Sequence, residues 1–240
     1  MKTLKLDLIN NPPLGLEAEN ITYDNLVDKS LDEIAQIELY EGKKTRKLGE
    51  FFVLRGVEGA EKIILQGNLS GFHRLGWGMS EGLMLIDGVC GNYLGAHLSG
   101  GKIIVEGSAC SWAGFMMSGG ELLLRGDAGN FLGAGERGSG KGMSGGLIKV
   151  GGCAGSNMGA GLCGGKIIVE HNVGEFAGYQ MKSGEITIKG RASRGLGAEM
   201  SDGTINVYGG VDNMLSSFRK KDDIYVGDYT VKGKGRIRLR

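Results

Sequence analysis

Proline is almost missing, at 2 of 240 residues, and no Gly-X-Y triplet recurs. A collagen-like helix is therefore excluded. No apolar run approaches the roughly 18 residues of a membrane-spanning helix. The opening MKTLKLDLIN alternates apolar and polar residues and lacks the apolar stretch and cleavage site of a secretory signal. A cytoplasmic location with no membrane partner is expected. Charge of one sign is lacking too: 28 Lys and Arg face 27 Asp and Glu, a net charge of +1. That is no electrostatic footprint for nucleic acid. The cysteines Cys90, Cys110, Cys153 and Cys163 form no C-x-x-C pair. A zinc or iron–sulfur site built by this chain alone is not expected.

Glycine is abundant, at 47 residues. Disorder does not explain it, because 41% of the chain is hydrophobic and Ile, Val and Leu come in bursts. A helical fold does not suit it, because each interior glycine costs about 1 kcal/mol relative to alanine. A repeat does explain it. The glycines that open the apolar bursts are Gly82, Gly101, Gly120, Gly146, Gly165, Gly184 and Gly203. Their spacing is 19 residues, apart from one gap of 26. A second column, Gly76, Gly95, Gly114, Gly133, Gly159, Gly178 and Gly197, keeps the same spacing.

Two and four residues after each opening glycine the side chain is always apolar, as in Ile103/Val105 and Ile167/Val169. The residue between can be Lys149, Thr187 or Asn206. This is the alternation of a half-buried strand. Eight residues after comes a small apolar side chain, and sixteen after comes Leu or Met. One such row cannot bury its own apolar face, whereas stacked rows can. The expected fold is all-β: a single-stranded, right-handed parallel β-helix of about seven 19-residue coils, roughly 34 Å long at the usual strand spacing. Residues 61–210 form the repeat domain. Residues 1–60 form an irregular N-terminal cap, with a strand at Leu4–Leu6–Leu8 and a short helix opened by the capping box Ser30–Glu33. Residues 211–240 close the other end, with strands in IYVGDYTV and RIRLR.

The irregularities are candidate functional elements. The long gap holds a seven-residue insertion, Gly135 to Lys141, expected to project from a corner. Glu136, Arg137, Ser139 and Lys141 within it are the candidate subunit-interface residues. Gly135 to Lys141 nearly spells a phosphate-binding loop, but Gly142 stands where Ser or Thr is needed, and repeat sequence follows instead of a helix. Tyr93, Trp112, Phe131 and Phe176 share a column and are expected to stack. His73, His97 and His171 lie in different columns and are not expected to join in a metal site. The basic cluster between Lys220 and Arg240 reads as a solvated face, partly offset by Asp222, Asp223 and Asp228. No catalytic, cofactor-binding or metal-binding residue is identified.

The rows GFHRLGWGMSEGLMLIDGVCGNYLGAHLSGGKIIVEG and GNFLGAGERGSGKGMSGGLIKVGGCAGSNMGAGL resemble the glycine-rich repeat domain of the C subunit of formylmethanofuran dehydrogenase. The C-terminal domain of the glutamate synthase large subunit shares that repeat. The insertion, the lead-in SLDEIAQIELYEG and the ending VDNMLSSF favour the first family, over about residues 20–220. Ser216–Ser217 depart from the Leu-Pro expected before Phe218. The resemblance implies a non-catalytic scaffold within an oxidoreductase complex that reduces CO2 and fixes it on methanofuran, the first step of methanogenesis. It implies partner subunits of three kinds: amidohydrolase-like, pterin-binding and ferredoxin-like. A tungsten or molybdenum pterin, iron–sulfur clusters and a dinuclear metal site would lie in those partners. The alternatives are the C subunit of a bacterial formyltransferase/hydrolase complex and a glutamate-synthase-type spacer domain.

Overall fold

The computed structural model describes residues 2–136 and 138–240. Among these, the strands form a thirteen-stranded sheet and a separate four-stranded one. The large sheet carries the repeat. Lys62–Gln66, Leu83–Asp87, Lys102–Val105, Glu121–Leu124, Leu147–Val150, Lys166–Val169, Glu185–Ile188 and Thr204–Val207 stack in parallel, each on the next. Ile63, Met84, Ile103, Leu122, Ile148, Ile167, Ile186 and Ile205 are successive register partners, all fully buried. This is the internal ladder expected from the period of 19. The small-residue column forms a second ladder of single bridges, from Leu69 through Cys90, Ala109, Ala128, Ala154, Val173 and Ala192 to Val211. The chain is thus an all-β parallel β-helix.

The third face is built from turns. In the row from Tyr93 to Leu98, Tyr93, Gly95 and His97 are left-handed, with φ of 60°, 60° and 57°. The N–H groups of Ala96 and Leu98 close turns on the carbonyls of Tyr93 and Gly95. The N–H groups of the three left-handed residues reach other coils: Tyr93 to Ser111 and His97 to Phe115 on one side, Gly95 to Leu75 on the other. Every turn thereby also bonds coil to coil. Glycine is required at Gly114 in this face. Its φ is +65°, and a Cβ there would lie 2.5 Å from Ile148 Cδ1 inside the core.

Side chains at the two corners flanking the small-residue column also bond coil to coil. Asn92 Oδ1 accepts from the Ser111 N–H at 3.0 Å, Asn130 Oδ1 from Ser156 at 2.8 Å, and Asn172 Oδ1 from Arg191 at 2.8 Å. His73 belongs to this set, since its Nδ1 accepts from the Asn92 N–H at 3.1 Å. Each bond satisfies a donor at a coil corner, where the strand ladders do not reach.

Both ends of the large sheet are continued by flanking segments. Thr3–Leu8 joins Lys62–Gln66 in parallel, and Phe52–Arg55 closes on it antiparallel. The Ser30 capping box is formed: its Oγ accepts from the Glu33 N–H, and a Glu33 carboxylate oxygen accepts from the Ser30 N–H at 2.9 Å. The helix it opens is short, Leu31–Ala35. At the other end, Gly235–Leu239 pairs in parallel with Thr204–Val207, and Ile224–Gly227 and Arg219–Lys221 follow antiparallel. The segment IYVGDYTV is a strand only to Gly227, and Tyr229–Val231 is a 3-10 turn. The four-stranded sheet, Lys44–Lys47, Glu38–Glu41, Leu16–Glu17 and Phe72–His73, is not expected from the sequence. Two of its strands have only two residues, too few for an alternation to register.

Candidate functional site

The insertion leaves the turn face without disturbing it. In neighbouring rows the N–H of Met117 bonds the Gly114 carbonyl, and that of Leu162 bonds Gly159. In the inserted row the same bond runs from Met143 to Gly133, with the extra residues looped between them. Gly142 takes the next position of the turn and donates to the Gly161 carbonyl at 2.7 Å. The loop is pinched at its base, where a Cβ on Gly135 would collide with the Lys141 carbonyl. Inside it, Ser139 folds back: its N–H and Oγ both donate to the Glu136 carbonyl, and its Oγ accepts from the Lys141 N–H. After Lys141 the chain re-enters the repeat and runs to the strand Leu147–Val150.

Glu136, Ser139 and Lys141 are all exposed on this loop, as an interface role requires. Arg137 lies outside the described residues. The loop forms a ridge with different surfaces on its two sides. Toward the N-terminal coils, Glu136 borders an open groove of about 540 Å³ with Arg74, Trp77, Tyr93, Trp112 and Phe115. Toward the C-terminal coils, Gly138 to Gly140 border a polar hollow with Gln180, Lys182 and Glu199. Beneath the loop is a cavity of about 240 Å³, reached by Phe131, Asn157 and Tyr179.

The aromatic groove is ordered by stacking. Tyr93 and Trp112 lie 5.7 Å apart and nearly parallel, and Trp112 and Phe131 lie 4.1 Å apart at 4°. Phe115 meets Tyr93 and Trp112 edge-on. Phe176, expected in the same stack, is separated from it by Asn157, which occupies the column in the intervening row. The stacked residues are all left-handed, with φ between 60° and 67°. Each such non-glycine position costs on the order of 1 kcal/mol, which the packing and inter-coil bonds must offset. Burial lowers the His97 pKa, while the nearby Glu136 carboxylate opposes that shift. The Tyr179 hydroxyl is pushed up by burial and by Glu199, to which it donates at 3.2 Å.

Trp77, Phe115 and Tyr179 escape a reading by columns. A signal for them exists. They follow the all-glycine column directly, and the other rows have Ala96, Ala134, Ala160 and Ala198 there. By contrast, the outward residues five positions after the opening glycines, Asp87, Glu106, Arg125, Glu170 and Lys189, are largely satisfied within the chain. Gln66 donates to Asp87, Arg125 pairs with Glu106 at 3.8 Å, Lys149 pairs with Glu170 at 3.3 Å, and Lys189 sits over the Tyr208 ring. Among the described residues no three His, Cys, Asp or Glu side chains come together as metal ligands.

No protein-family model matches the chain. It is 43% identical over 90 residues to the C subunit of the tungsten-containing formylmethanofuran dehydrogenase 2 of Methanothermobacter thermautotrophicus. It is 41% identical over 85 residues to the C subunit of the molybdenum-containing formylmethanofuran dehydrogenase 1 of Methanosarcina barkeri. Both of these relatives are C subunits of formylmethanofuran dehydrogenases. That is the family whose repeat the sequence resembles. The matched stretches span about a third of this chain, and 33% and 28% of those two relatives. The fold likeness is longer. The crystal structure of the formyltransferase/hydrolase complex (FhcABCD) from Methylorubrum extorquens, in complex with methylofuran, contains a chain that matches with a TM-score of 0.87 at 23% identity. That match covers 98% of both chains and shows a shared fold.

Proposed function

We propose that this chain is the non-catalytic scaffold, the C subunit, of a formylmethanofuran dehydrogenase complex, the CO2-reducing enzyme that forms formylmethanofuran. The observation that carries the reading is the ridge at Glu136–Lys141, set beside an open groove lined by half-buried aromatic rings. Interfaces concentrate their energy in aromatic anchors surrounded by polar rims, and this face supplies both. The partners would be the amidohydrolase-like, pterin-binding and ferredoxin-like subunits. The tungsten or molybdenum pterin, iron–sulfur clusters and dinuclear metal site would lie in them. Cys90 is fully buried in the small-residue ladder, where burial raises its thiol pKa and favours the protonated, non-ligating form.

A second reading is membership of a formyltransferase/hydrolase complex, which the whole-length fold match favours. Purifying the native complex through a tag on this chain separates the two. Tungsten or molybdenum in stoichiometric amount supports the dehydrogenase, and its absence from an intact complex supports the transferase. Deleting residues 135–141 joins Ala134 to Gly142 and restores the three-residue turn of the other rows. The deleted chain is expected to stay folded yet lose its partner subunits. Unchanged co-purification would show that the ridge is not the contact.

A further inference from the structure

The sequence reads the cations near the C-terminus as a solvated face, but the structure gathers them. Residues 219–240 hold eight of the 28 Lys and Arg, and only three of the 27 Asp and Glu. The chain as a whole is at +1, so this end is strongly positive against a mildly negative remainder. Strand register sorts the charges. Arg219 lies beside Val226, which lies beside Arg236; Lys221 lies beside Ile224, which lies beside Arg238. Two cation–aliphatic–cation rows therefore run across one sheet face. Flanking cations are roughly 10 Å apart across the strands and about 7 Å apart along them. With Lys234, and with Asp222 as the one carboxylate at its edge, they line a groove of about 570 Å³.

On the strand face several such charges are neutralised from coil to coil: Lys102 pairs with Glu121 at 2.7 Å, and Lys166 with Glu185 at 3.2 Å. In the groove, no described carboxylate pairs with Lys221, Lys234, Arg236 or Arg238. Protection of a sheet edge explains Arg219 and Lys221, since Arg219–Lys221 is the outermost strand. It does not explain Arg236 and Arg238, which lie on a strand paired on both sides.

We propose that this groove docks an acidic, extended segment of a partner protein, whose carboxylates at alternate positions face the cation rows. Carboxylates at alternate positions of a strand recur at about 7 Å, the spacing of the cations along each strand. A single-stranded nucleic acid would want open aromatic faces. The one lining aromatic, Tyr229, is already covered by Arg219 at 4.6 Å. The proposal stands apart from the ridge and does not depend on which complex the chain belongs to.

The test is fluorescence anisotropy with a labelled heptapeptide of alternating Asp and Val, at low salt, on the full chain. Arg236→Gln/Arg238→Gln and, separately, Lys221→Gln/Lys234→Gln should each weaken binding about tenfold. Lys102→Gln should leave it unchanged, and a Lys-Val heptapeptide should not bind. Thermal melts confirm that each variant is folded, and either double variant suffices if the other fails. No binding by the wild type, or equal binding by a folded double variant, overturns the proposal. So does tighter binding of a single-stranded DNA oligomer or of phosphatidylserine vesicles through the same residues.

Discussion

Alanine at three glycines separates backbone strain from packing in this fold. Gly78 has φ of +66° and open space where a Cβ would stand. It shares a column with His97 and Gln180, whose side chains already tolerate φ of 57° and 52°. Gly78→Ala should therefore cost only the left-handed penalty, about 1 kcal/mol. Gly114 has nearly the same φ, +65°, but its Cβ would lie 2.5 Å from Ile148 Cδ1 and 3.5 Å from Leu122 Cδ2. Ile148 is fully buried between neighbours of its ladder, so its methyl has nowhere empty to go. Overpacking adds about 1–3 kcal/mol, for a total of about 2–4 kcal/mol. Gly119 has no positive φ, yet a Cβ there would lie 2.1 Å from the Ser99 carbonyl oxygen of the adjacent coil. Backbone must move, so Gly119→Ala should cost at least as much as Gly114→Ala. Thermal melts by circular dichroism resolve this, because 1 kcal/mol shifts a domain of this size by about 2–4 °C. Gly114→Val should be worse than Gly114→Ala, since branching at Cβ adds atoms on the same path. If Gly114→Ala melts together with Gly78→Ala, the claim that this column points into a filled core is wrong.

Ile167→Asp places a carboxylate among Ile148 and Ile186 with no partner, and should cost about 4 kcal/mol or more. A melt within a few degrees of wild type would refute the internal ladder. Asp228 is buried against the last coil. Burial alone would raise its pKa, but the Thr230 hydroxyl and N–H and the Glu199 N–H donate to it and hold it below the usual aspartate value. Stability from a lowered carboxylate is complete above its unfolded pKa of about 4 and is lost as pH falls through the folded value. The melting difference between wild type and Asp228→Asn should therefore be largest near neutral pH and shrink below about pH 4. A difference independent of pH would show that the charge of Asp228 does not help to pin the closing segment.

Most of the rod is legible because its period is rigid. An error of one residue in any row would turn Ile148 or Ile186 to solvent, so the apolar columns have to keep register. The four-stranded sheet is not legible, because Leu16–Glu17 and Phe72–His73 are placed by pairing with distant segments and not by local pattern. The aromatic face is half legible. Its stacked column stands out as a column, whereas Trp77, Phe115 and Tyr179 stand out only as exceptions to an alanine column. The left-handed backbone beneath Tyr93, Trp112 and Phe131 cannot be read at all, since aromatic residues seldom adopt it.

The same regularity that makes the fold readable limits where binding can occur. Stacking turns each outward residue toward its counterpart one coil away. Charges along the strand face therefore meet partners from this chain first, as Lys102 meets Glu121 and Lys166 meets Glu185. Corner amides behave alike, taking the next coil's N–H groups. Such a surface has few strong groups left for another protein. Unpaired charge is available where the repeat is broken: at the inserted turn, where Glu136 and Lys141 have no counterpart one coil away, and at the last strands, where Arg236 faces Thr204 and Arg238 faces Asn206 rather than a carboxylate. A rod bound at two such breaks can hold two partners at a fixed separation, because the coils between them are tied by backbone bonds at every strand and turn.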